Sequence, residues 1–172
     1  DAVHFTPAPA ASNPGTGLDV TTTVAPGGDA PWRTVSTPFA PSGDGDAAMV
    51  EVPVFGKAWL EMPLTGPGRF AFWWRSELAD GGLMSTACSV DGSHLQFIPG
   101  SAGWYRMEFT VGPGSHMLRW EAEAGEAEDP GSAPVRRLWL DGFNALPVLP
   151  LEEALDSPLT WTTGSPAVAG DY

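Results

Sequence analysis

The feature that most constrains this chain is its punctuation. From residue 47 to about residue 146, short apolar runs are broken by Gly, Pro or Asp at intervals of roughly 8–12 residues, the spacing of an all-β sandwich or barrel. The chain holds 21 Gly and 18 Pro in 172 residues, about double ordinary usage. Proline lacks the backbone N–H that a helix needs, and glycine loses most entropy when ordered, so long helices are excluded.

The runs that predict strands are Ala47–Val54, Ala58–Leu64, Arg69–Ser76, Leu83–Val90, His94–Ile98, Trp104–Val111, Ser115–Ala122 and Val135–Leu140. Side chains alternate between faces along a strand. Phe70, Phe72 and Trp74 therefore form one bulky face. Tyr105, Met107, Phe109 and Val111 share a face opposed to Trp104, Arg106, Glu108 and Thr110, and His116, Leu118 and Trp120 one opposed to Met117, Arg119 and Glu121. Gly66-Pro67-Gly68, Asp91-Gly92 and Gly112-Pro113-Gly114 read as turns, with Asp-Gly the strongest hairpin cue. Thr21–Val24 reads as a short edge strand, Gly43–Asp46 as a turn, and Trp32 as an anchor after the turn at Gly27-Gly28.

The ends differ in texture. Residues 1–16 predict an extended Pro/Ala-rich arm, residues 17–147 the sandwich, and residues 148–172 a linker or tail that could open a following module. Phe5 in the arm and Trp161 and Tyr172 in the tail are aromatic residues in linker-like sequence, which suggests docking on a partner. The chain starts at Asp1, and its longest apolar run near the middle, Phe70–Trp74, falls far short of a membrane span. The expected setting is extracytoplasmic: periplasmic, cell-surface or secreted.

Charge narrows the partners. Eight basic against 21 acidic residues give −13, a field that repels nucleic acid and anionic headgroups. Cys88 is the single cysteine, so an intramolecular disulfide and cysteine-rich metal sites are excluded. Its apolar surroundings predict a buried structural thiol.

Motifs in order carry a resemblance. Gly66-Pro67-Gly68 precedes Phe72-Trp73-Trp74. Then follow Val90-Asp91-Gly92, Gly103-Trp104, Gly114-Ser115-His116-Met117-Leu118-Arg119-Trp120 and Leu138-Trp139-Leu140-Asp141. Over roughly residues 28–146 this resembles a concanavalin-like (MAM-like) jelly-roll module of bacterial exported and cell-surface proteins. The resemblance implies an all-β, two-sheet antiparallel jelly-roll β-sandwich and a non-catalytic accessory role. The acidic loop Glu121–Asp129 departs from that pattern.

Catalytic chemistry finds little support. The three histidines have no Gly-x-Ser-x-Gly nucleophile to serve. His116 reads as an interstrand or core histidine, and His94 as a surface one. No pair of acids stands out as a glycosidase pair. The first expectation is therefore a non-enzymatic module binding a partner protein or a larger envelope assembly through loops and arms. The alternative is a carbohydrate-binding, lectin-like module using an exposed Trp. In Phe72-Trp73-Trp74 one Trp must face outward, which makes Trp73 a binding candidate beside Trp161, Phe5 and Tyr172. No cofactor is expected, with calcium as the possible exception. Its candidate ligands are Asp44 and Asp46 in one loop and Glu126, Glu128 and Asp129 in another.

Overall fold

The computed structural model describes residues 13–78, 83–98, 103–126 and 136–147. The arm to residue 12 and the tail from residue 148, with Phe5, Trp161 and Tyr172, lie outside them, as do Glu128 and Asp129.

The described residues form an antiparallel β-sandwich with no α-helix. A short 3-10 turn, Thr16–Leu18, precedes eight strands: β1 (Ala25–Gly28), β2 (Arg33–Ser36), β3 (Asp46–Glu51), β4 (Lys57–Leu78), β5 (Met84–Val90), β6 (Ser93–Ile98), β7 (Tyr105–Ala124) and β8 (Arg136–Leu146). The pairing order is β2-β3-β8-β4-β7-β5-β6, and β1 joins the edge of β4.

Two strands are twice the expected length. β4 spans both Ala58–Leu64 and Arg69–Ser76, and β7 spans Ser115–Ala122 and all of Trp104–Val111 but its first residue. The two Gly-Pro-Gly segments are therefore bends, not hairpin turns. They face each other: Gly66 pairs with Gly114, and the register shifts between Gly66 and Gly68. A Cβ on Gly66 would lie 2.0 Å from the Gly112 carbonyl oxygen, so only glycine allows this approach. The first half of β4 pairs with β1 and the second half with β8, while the last third of β7 pairs with β5. The bent β4–β7 ribbon thus belongs to both layers.

Aromatic rings close the space between the layers. Phe72 pairs in register with Met107, and Trp120 with Leu60, yet their rings meet edge to face at 5.2 Å. Phe72 also meets Trp74 and Phe109 edge to face, and Trp120 meets Phe143. Phe72, Trp74, Trp120, Leu60, Leu118 and Leu140 have no exposed surface. Trp32 is the expected anchor, 2% exposed.

Smaller expectations divide. Asp91-Gly92 is the turn of the β5–β6 hairpin, with both residues at positive φ (51° and 77°). The edge strand expected at Thr21–Val24 instead begins at Ala25 and runs through the expected turn to Gly28. Gly28 makes this possible. Its φ is 101°, and a Cβ there would lie 2.2 Å from the Lys57 carbonyl oxygen. Cys88 is buried in the core, and burial pushes its thiol up to about 12.

Candidate functional site

Strand alternation puts Trp73 on the outer face, between inward Phe72 and Trp74. Its register neighbours are Arg106 on β7 and Asp141 on β8. Between Ala71 and Trp73 the register with β8 shifts: Ala71 pairs with Asn144 and Trp73 with Asp141. This bulge places Gly142 at φ 61°, a conformation suited to glycine, and bulges re-aim the side chains beside them. Trp73, Arg106 and Asn144 join Ser42, Asp19, Gly142 and Phe143 around a groove of about 270 Å³.

Beside this groove three distant segments bring acids together, and one of these, Asp19, also lines the groove. Asp19 follows the 3-10 turn with φ 62°. Asp44 sits in the loop between β2 and β3. Asp141 lies on β8 and has no exposed surface. Carboxylate oxygens of Asp19, Asp44 and Asp141 lie within 4.8 Å of one another. Ser42 ties two of them together. Its backbone N–H donates to Asp141 Oδ2 at 2.9 Å, and its hydroxyl donates to Asp44 Oδ1 at 2.8 Å. The Asp46 N–H also donates to Asp44 Oδ1. Among the described residues, Asp141 Oδ1 has no hydrogen-bond partner, and neither has Asp46 Oδ1.

The electrostatics follow from this crowding. Burial and the hydrogen-bonded Asp44 push the Asp19 carboxyl up to about 6. Burial raises Asp141 as well. Asp44 is held low, first by its hydrogen bond with Asp19 and then by the Asp46 N–H. No ion pair among the described residues neutralises the three. An all-oxygen set of this kind suits a hard cation such as calcium and does not suit zinc, which favours sulfur and nitrogen.

Of the residues anticipated from sequence, Trp73 and Asp44 are thus brought together, with Asp46 beside them. Glu126 is elsewhere; its backbone oxygen accepts from Arg136. Asp19 and Asp141 are additions. Asp141 has a signal in the sequence, an acid directly after the apolar run Leu138–Leu140, since buried carboxylates need partners. Asp19 has none, because its approach depends on the path of the preceding turn.

Two other tryptophans on the outer faces, Trp59 and Trp139, lie under arginines. Arg119 lies over Trp59 at 4.6 Å, held by Glu61 and Glu121. Arg75 lies over Trp139 at 5.9 Å. A second cavity, about 340 Å³, is lined by residues 26–32. Its one carboxylate, Asp29, is already engaged by the Lys57 N–H at 2.9 Å.

The fold defines an antiparallel β-sandwich, and solved structures share it. The carbohydrate-binding module TmCBM61, solved with β-1,4-galactotriose, is 18% identical with a TM-score of 0.52, covering 78% of this chain and 94% of that one. A structure described as carbohydrate-binding modules of the β-sandwich superfamily is 11% identical with a TM-score of 0.51, covering 80% and 64%. No protein-family model and no curated protein matches the sequence. Among the described residues, no helix is long and apolar enough to cross a membrane.

Proposed function

We propose that this chain is a non-catalytic carbohydrate-binding module of an extracytoplasmic protein, with the Trp73 groove as its ligand site. One observation carries the reading: Trp73 lines an open cavity together with Arg106, Asn144 and Ser42, whereas Trp59 and Trp139 lie under arginines. Sugars present apolar C–H faces that stack on aromatic rings, and hydroxyls that need donors and acceptors at fixed positions. Trp73 supplies the ring. Arg106 supplies donors, and Asn144 and Ser42 supply both kinds of group. At about 270 Å³ the groove falls just under the ~300 Å³ lower bound of small-molecule sites, which suits a terminal or single sugar ring over a long chain segment.

The shared fold of TmCBM61, which carries β-1,4-galactotriose, supports this choice over protein docking through the arms. Binding of the fluorescently labelled chain to a glycan microarray, β-1,4-galactotriose included, tests it. Saturable binding to a restricted set of glycans is the expected result. A blank array at micromolar protein with millimolar calcium present would overturn the proposal.

A further inference from the structure

We propose that Asp19, Asp44 and Asp141 hold a calcium ion that forms one wall of the Trp73 groove and takes hydroxyl oxygens of the bound sugar. This rests on the carbohydrate-binding reading for its second half and on the three carboxylates for its first. Two independent observations carry the ion. Three carboxylates from separate segments converge within 4.8 Å of one another. One of them, Asp141, is wholly buried yet its Oδ1 has no partner among the described residues. A buried carboxylate oxygen with neither donor nor cation is strongly unfavourable, and a hard divalent cation removes that penalty.

The contact with the sugar follows from Asp19, which belongs both to the acidic cluster and to the groove lining. Calcium takes six to eight oxygens in flexible geometry. Three carboxylates leave coordination positions open, and those facing the groove are available to a vicinal diol. Trp73 and Arg106 then hold the rest of the ring.

Calorimetry with calcium alone reads the ion site without any sugar. The unsubstituted chain, stripped of metal, should bind a single calcium ion, and Asp19→Asn and Asp44→Asn should each weaken binding about tenfold or more. Asp19 and Asp44 are exposed, so both variants should keep the thermal midpoint of the stripped parent. Terbium reports position. Its emission excited through tryptophan should be displaced by calcium, and should fall by about half or more in Trp73→Phe but not in Trp59→Phe. The glycan array with millimolar calcium and with chelator reads the second half. Glycan binding should drop at least about tenfold on chelation and become insensitive to calcium in Asp19→Asn. Absence of calcium binding by both readouts overturns the ion site. Calcium binding with glycan binding indifferent to chelator overturns the shared wall. A blank array with calcium bound overturns the carbohydrate reading and the shared wall, and supports the ion site.

Discussion

Trp73 and Asp141 lie opposite each other on adjacent strands, one lining an open groove and the other wholly buried. Both point away from the core. The difference is made by the loop that carries Ser42, whose N–H binds Asp141 and whose hydroxyl binds Asp44. A loop 99 residues away in sequence thus covers the acid while leaving the tryptophan beside it open to the groove.

The core should be sensitive at Phe72. Its ring touches Trp74, Phe109 and Trp120 across both layers. Phe72→Ala should destabilise the chain by about 3–5 kcal/mol, the range for a fully buried Phe. Chemical denaturation measures this, and a loss below about 1 kcal/mol would contradict the packing described.

Cys88 should be inert in the native state. Its thiol is buried and pushed up to about 12, so the thiolate is scarce and inaccessible. Labelling with a thiol reagent at neutral pH should be slow in the folded chain and quick in denaturant. Equal rates would mean that β5 is not packed as described.

His116 and Asp91 should make stability depend on pH. His116 Nδ1 meets Asp91 Oδ2 at 2.7 Å, and its other ring nitrogen meets the Gly112 carbonyl at 3.0 Å. The Asp91 contact raises His116, and the His116 contact lowers Asp91. The raised histidine contributes fully below the ordinary imidazole range and loses its contribution as pH rises through its folded value. The lowered aspartate contributes above the ordinary carboxylate range and loses its contribution as pH falls through its folded value. The pair therefore stabilises most at about pH 4–6.5. His116→Gln should lower the thermal midpoint more at pH 5 than at pH 8.5. A pH-independent difference would remove the ion pair from the account.

Much of this architecture is legible in the sequence. The alternation of Phe70, Phe72 and Trp74 against Trp73 and Arg75 marks both the core and the outward tryptophan, and Asp91-Gly92 marks its hairpin. The Gly-Pro-Gly segments mislead because a turn and a coordinated bend share the same local chemistry. What separates them is the partner strand, and Gly66 meets Gly114 only in three dimensions. The acidic cluster is half legible for the same reason. Asp44 sits in an evidently oxygen-rich loop and Asp141 interrupts an apolar strand, but nothing local brings Asp19 to them.

On the proposed carbohydrate-binding reading, Trp73 carries ligand binding and the arginine-covered Trp59 and Trp139 do not. Glycan-array binding by the unsubstituted chain, Trp73→Ala and Trp59→Ala, each checked for an unchanged β-type circular dichroism spectrum, tests it most directly. Trp73→Ala should lose binding about tenfold or more, while Trp59→Ala, which removes a ring that lies under Arg119, should retain it. Retained binding in Trp73→Ala with loss in Trp59→Ala would contradict the account and move the site to the opposite sheet.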